Sequence, residues 1–154
     1  MPQLATYVGL ARDGEKALAD SFRAVAAGHP EEGDLGQVCL LMARLSHRHR
    51  RRLAPMAGRY ATTEGDDLHS LPPRVDCHGG PGGLLRDLLD LYVLATLVQT
   101  TWTVIAQGAG THRDAELAAA AVDAMADTRR QLAWLGVRLK QAAPHCLEPT
   151  EGPA

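Results

Sequence analysis

The sequence predicts an all-α, antiparallel four-helix bundle, and three observations lead there. Apolar residues recur at helical spacing over four long segments, at about 4–27, 33–58, 83–109 and 111–143, and no stretch alternates as a half-buried strand would. The segments are punctuated like helices: "GHPEEGD" parts the first two and offers Asp34 as an N-cap, "QGAGTHRD" parts the last two, and Pro144 follows the fourth. The chain has 154 residues, 45% of them hydrophobic and 22% charged, which suits one domain around one core. That domain is read as 1–147, with 148–154 a tail.

Advancing about 100° per residue, helix one turns Leu4, Tyr7, Ala11, Leu18, Phe22 and Val25 inward, with Glu15 on the edge of that arc. A carboxylate there is unusual, because an unpaired buried charge is costly. Helix two turns in Leu35, Val38, Met42, Leu45 and Met56, and the same arc sweeps in His49 and Arg52 from the run "LSHRHRRRLAP". Arg44 and Arg48 then flank the seam, and His47, Arg50 and Arg51 face outward. Counted from the turn near Pro30, Glu15 lies fifteen residues before and His49 nineteen after. The two therefore stand within about one helical turn of the same level, and Glu15 is expected within hydrogen-bonding reach of His49, Arg52 or a polar group of the other hairpin.

Helix three turns Leu84, Leu88, Leu91, Ala95, Val98 and Trp102 inward with Gln99 at the flank, and helix four turns in Leu117, Ala121, Met125, Thr128, Leu132 and Leu139. Asp123, Asp127 and Arg130 fall on the outer side of helix four by this count, although a slip of one residue brings Asp127 to the seam.

The connection between helices two and three, 59–82, is rich in Gly and Pro and far longer than the roughly two to eight residues usual between bundle helices. It is long enough to run the length of a bundle. Two hairpins joined by one long crossover resemble the ferritin-like, rubrerythrin-type superfamily over about residues 4–143. The resemblance implies an inward glutamate from each of two helices and a Glu-x-x-His pair from each of the other two, together holding two metal ions. Here His49 matches the histidine of one pair, but the glutamate position of that pair is Ser46, and neither helix three nor helix four offers a mid-bundle carboxylate. What remains is a polar centre of Glu15, Ser46, His49, Arg52 and Gln99, in which a guanidinium stands in for the metal. The rival is a weakened iron or zinc site at Glu15 and His49.

Three features lie outside that centre. The arginine run reads as a solvated face near a helix C-terminus. A nucleic-acid grip is the lesser reading, given a net charge of −2, one phenylalanine and no helix-turn-helix with a short turn. Helix three, "LLRDLLDLYVLATLVQTTWTVIA", is apolar nearly all round, so Leu85, Leu89, Val93 and Leu97 are expected against a second copy, making a homodimer, or against the crossover. No membrane span is expected, because Asp87, Asp90, Gln99 and the threonines interrupt the run before it reaches roughly twenty residues. Finally, "DCHGG" before helix three and "APHCL" after helix four bring Cys77, His78, His145 and Cys146 to one end of a hairpin, as a candidate zinc or redox set. On a ferritin-like path His29 joins that end; on a simple up-down-up-down path it lies at the opposite one.

The opening "MPQLATYVGLARDGEK" lacks the pattern of a secretory signal, and three scattered cysteines make no disulfide framework, so a cytoplasmic setting is expected. Arginine in preference to lysine, with abundant alanine, hints at a bacterial GC-rich genome. No reaction is legible. The expectation is a non-catalytic bundle with a largely lost di-metal centre and no required cofactor, serving a structural or binding role toward an unidentified protein partner.

Overall fold

A computed structural model describes residues 2–60 and 77–149; the middle of the connection, 61–76, and the end of the tail, 150–154, lie outside the described residues. Among the described residues the chain is all-helical. Four long helices are present: α1 (Pro2–Gly28), α2 (Leu35–Ala57) with a following 3₁₀ turn (Gly58–Tyr60), α3 (Gly80–Thr111) and α4 (Ala115–Cys146).

The helix ends differ from the sequence expectation for identifiable reasons. Asp34 sits at the N-cap of α2 but makes no capping hydrogen bond. Its backbone is itself helical, at φ −80 and ψ −8, whereas a capping side chain needs a non-helical residue to fold back on the first turn. The cap that works is Asp114, whose carboxylate accepts the Leu117 N–H at 3.0 Å, so helix four begins at Ala115 and not near 111. Pro144 does not end α4, which continues to Cys146. In the last turn a proline forfeits one hydrogen bond without breaking a long ladder, and the turn still closes through Leu147 N–H on the Ala143 carbonyl at 3.0 Å.

α1 packs on α2 and α3, and α4 packs on α3 and α2. Along α1, Leu4 lies against Gly108, Glu15 against Trp102, and His29, just past the helix, against Asp87. Along α2, Ser46 meets Gln131, His49 meets Asp127, and Arg52 meets Asp123. Between them lie Leu18, Phe22, Leu88, Leu91, Trp102 and Ile105, all fully buried, each worth about 1.5–3 kcal/mol of apolar transfer.

The inward faces of α1 and α3 follow their apolar periodicity, but those of α2 and α4 are turned by about one residue. The buried stripe of α2 runs through Cys39, Ala43, Ser46, His49 and Leu53, so Leu53 faces the core where Arg52 was expected. In α4 it runs through Ala121, Ala124, Asp127, Thr128 and Gln131. Met42, Met125 and Leu132, taken as inward, are only partly buried at the flanks of the core.

By length and composition α3 is apolar enough to cross a membrane, with a mean hydropathy of 1.4 over its richest window. Asp87, Asp90 and Gln99 therefore do not exclude a span on composition, contrary to the expectation above. Within the bundle 44% of that window is buried, as in a helix packed on two neighbours.

Candidate functional site

Midway along the bundle each helix contributes a polar side chain to one buried network. Glu15 of α1 is 0% exposed, and its Oε1 accepts both the His49 Nδ1–H of α2 at 2.9 Å and the Trp102 indole N–H of α3 at 2.8 Å. The other ring nitrogen of His49, Nε2, donates to Oδ2 of Asp127 on α4 at 2.8 Å. Asp127 is also held by Arg48 at 2.7 Å and Arg130 at 3.1 Å, which reach in from the solvent side. Beside this row, the Gln131 amide donates to the Ser46 hydroxyl and to the Met42 carbonyl, both at 3.0 Å.

With Glu15 and Asp127 both ionised, the geometry calls for a charged His49. A neutral imidazole has one donor and one acceptor nitrogen, so it would aim a lone pair at one of the two carboxylates; only the imidazolium satisfies both. Burial pushes its pKa down, but the hydrogen bonds and charges of Glu15 and then Asp127 outweigh this and hold it above the ordinary 6.5. For Asp127, burial pushes the carboxyl up, and His49 and Arg48 more than offset it, leaving it below the ordinary 3.8. Charges alternate along the row from Glu15 through His49 and Asp127 to Arg48, which is how several ionised groups can share a dry interior.

Such a layer is poorly suited to a pair of metal ions. It offers two carboxylates and one imidazole, and both imidazole nitrogens are spent on hydrogen bonds, so a metal would first have to displace a carboxylate from the ring. Among the described residues of this layer, Glu15 Oε2 and Gln131 Oε1 are buried with no partner. Ser46 is engaged by Gln131 and not by His49, so it is not paired with a base that would activate it as a nucleophile.

Of the residues singled out from the sequence, Glu15, Ser46 and His49 lie in this layer, and two do not join it. Arg52 is 41% exposed and pairs with Asp123 on the surface, a consequence of the one-residue turn of α2. Gln99 is half-buried, and its Oε1 has no hydrogen-bond partner. Trp102, Asp127 and Gln131 belong to the network and were missed as site residues. The indole N–H of a core tryptophan, which needs an acceptor when buried, was the available signal for Trp102.

The four residues expected to meet near the hairpin end separate into two groups. Cys77 and His78 turn toward His29 and Asp87, whereas Cys146 donates to the Pro81 carbonyl at 2.8 Å and His145 is exposed. All three cysteines are free, so Cys77 and Cys146 form no disulfide. Burial pushes the Cys39 thiol up to about 12, against a smaller opposing effect of Arg138, which makes it a packing residue and not a nucleophile.

Arg23, Arg44, His47, Arg48, Arg51 and Arg52 line a surface groove. Three of them are paired within the chain, Arg23 with Asp20, Arg48 with Asp127 and Arg52 with Asp123. No family model, curated protein or solved structure matches this chain. What it does has to be read from its own geometry.

Proposed function

We propose that the protein is a non-catalytic, ferritin-like antiparallel bundle in which a protein-only charge network occupies the level of a di-metal centre, and that its role is structural or binding. The observation that carries this reading is His49, engaged at both ring nitrogens by Glu15 and Asp127. Support for the ferritin-like path comes from the order of the contacts. Residues 4, 15 and 29 meet 108, 102 and 87, and residues 46, 49 and 52 meet 131, 127 and 123. His29 also lies beside Cys77, as that path requires and an up-down-up-down path does not. Metal analysis of anaerobically purified protein tests the central layer: Glu15→Gln should leave bound iron and zinc unchanged. Loss of an equivalent of metal on that substitution would overturn the reading and restore Glu15 and His49 as ligands.

The partner we favour is a second copy, with a cytoplasmic setting that suits three free thiols. On α3, Leu89 and Val93 are 53% and 58% exposed, Leu85 and Leu97 are half-buried, and Tyr92 and Val104 extend the apolar face. Charges placed in a self-complementary seam repel across the two-fold. Leu89→Glu with Val93→Glu should therefore halve the mass measured by light scattering. An unchanged mass, with the connection between α2 and α3 more readily cleaved by protease, would assign this face to the crossover.

A further inference from the structure

Where α1 stops and α3 starts, a second buried polar cluster stands apart from the central network. His29 is 1% and Asp87 0% exposed, and His29 Nε2 lies 2.7 Å from Asp87 Oδ2. The Cys77 sulfur is 3.5 Å from the same nitrogen, and one ligand atom from each of the three residues lies within 4.8 Å of the other two. We propose that His29, Cys77 and Asp87 form a binding site for one zinc ion, which ties the chain entering α3 to the end of α1.

The backbone is shaped to bring these atoms together. A Cβ on Gly28 would collide with the Cys77 sulfur, and one on Gly83 would collide with the His78 carbonyl, so only glycine at both places lets residues 77–78 lie flat across the two helix ends. The Asp87 carboxylate is oriented from behind. The His78 ring donates to Oδ1 at 2.6 Å, and the His78 backbone N–H reaches both oxygens at 3.2 and 3.0 Å. A carboxylate fixed by outer partners in this way is typical of a metal ligand.

His29 supplies an independent sign. If its Nε2 donates to Asp87, its Nδ1 is left as a bare acceptor, and that atom is buried without a partner, an arrangement that is unfavourable for any buried polar group. An ion on Nε2 would put the proton on Nδ1, on the side of the exposed Glu31 carboxylate, which at 3.8 Å is within ion-pair distance and needs to move a few tenths of an ångström to accept it. One nitrogen, one sulfur and one oxygen match the mixed preferences of zinc. With zinc bonds of about 2.0–2.3 Å, tetrahedral ligand atoms stand roughly 3.4–3.6 Å apart. The sulfur–nitrogen separation already has that value, and the carboxylate need only withdraw from its hydrogen bond. Cys77 is exposed, so the fourth position faces solvent and takes water.

The test uses the intact chain loaded with cobalt(II) as a spectroscopic substitute for zinc. One equivalent should produce a thiolate-to-cobalt charge-transfer band in the near ultraviolet with tetrahedral visible bands, and added zinc should abolish both. Cys77→Ser, a near-isosteric change at an exposed position, should remove the charge-transfer band and weaken zinc binding about ten-fold or more. Gly28→Ala, whose methyl takes the place of the sulfur, should do the same while leaving all three side chains in the sequence. Glu15→Gln should leave the band intact, which separates this site from the central layer. Absence of the band at saturating cobalt in the unaltered protein, or its survival in Cys77→Ser, would overturn the proposal and leave a plain hydrogen-bonded cluster.

Discussion

Replacing His49 with alanine is expected to destabilise the fold by about 3–5 kcal/mol, the usual consequence of removing one member of a buried ion pair. The loss has a specific origin. Without the imidazolium, Glu15 is a fully buried carboxylate whose remaining donor is the Trp102 indole, and Asp127 keeps only the two arginines that reach it from the surface. Changing both partners to apolar residues, Glu15→Leu with His49→Leu, should recover most of that loss, because buried pairs often do no better than well-packed hydrophobic replacements. Asp127 still has Arg48 and Arg130 in the double variant, and the unpaired indole N–H adds a penalty of about 1–3 kcal/mol. Chemical denaturation of the two proteins measures this directly. An unfolding free energy for His49→Ala within about 1 kcal/mol of the parent would show that the buried carboxylates do not depend on the imidazolium.

Stability should also depend on pH in a way set by the same residues. His49 is held above its ordinary 6.5 in the folded chain, so its contribution is complete below 6.5. As pH rises past that value the unfolded chain releases a proton that the folded chain keeps, and stability falls by up to about 1.4 kcal/mol per pH unit until the folded pKa is passed. On the acid side the sign reverses. Asp127 is held below its ordinary 3.8, so its contribution is complete above 3.8 and lost as pH drops through the folded value. Asp114 and Asp87 add to that acid loss. The hydroxyl of Tyr60 is the main influence lowering Asp114. At Asp87, burial pushes the carboxyl up but His29 and His78 together more than reverse it. Denaturation midpoints measured against pH should therefore peak between 3.8 and 6.5. The Glu15→Leu, His49→Leu double variant should lose the decline that begins just above 6.5, while keeping the separate loss above about 9 that comes from the buried Cys39 thiol. A decline that still begins just above 6.5 would place the titrating group elsewhere.

How much of this was legible in the sequence depended on which side chains mark each inward face. α1 and α3 carry large apolar residues such as Leu18, Phe22, Leu88 and Leu91 at the core, and their faces follow directly from spacing. The stripes of α2 and α4 are built from Cys39, Ala43, Ser46, Ala124, Asp127 and Gln131, small or polar residues with little hydrophobic signal. An arc drawn through the bulkier Met42, Met125 and Leu132 is therefore rotated by one position, which brings Arg52 inward in error and leaves Asp127 outside. Glu15 and His49 were legible because their phase put them on or beside the inward arcs and their matching distances from one turn put them at one level. At the bundle end, Cys77 and His78 were paired with His145 and Cys146 on proximity of helix termini alone. Asp87 had been read only as an interruption of an apolar run, yet it is the buried carboxylate around which His29 and His78 assemble.

The most direct test of a metal-free His49 bridging two carboxylates is the protonation state of its ring, read from the nitrogen chemical shifts of imidazole-labelled protein. At the ordinary 6.5, where a free imidazole is half protonated, both Nδ1 and Nε2 should carry protons in the larger share of the molecules, and added iron or zinc should leave both shifts unmoved. A neutral ring with one bare nitrogen at that pH, or a ring nitrogen that shifts on metal addition, would contradict the bridge and return the centre to metal chemistry.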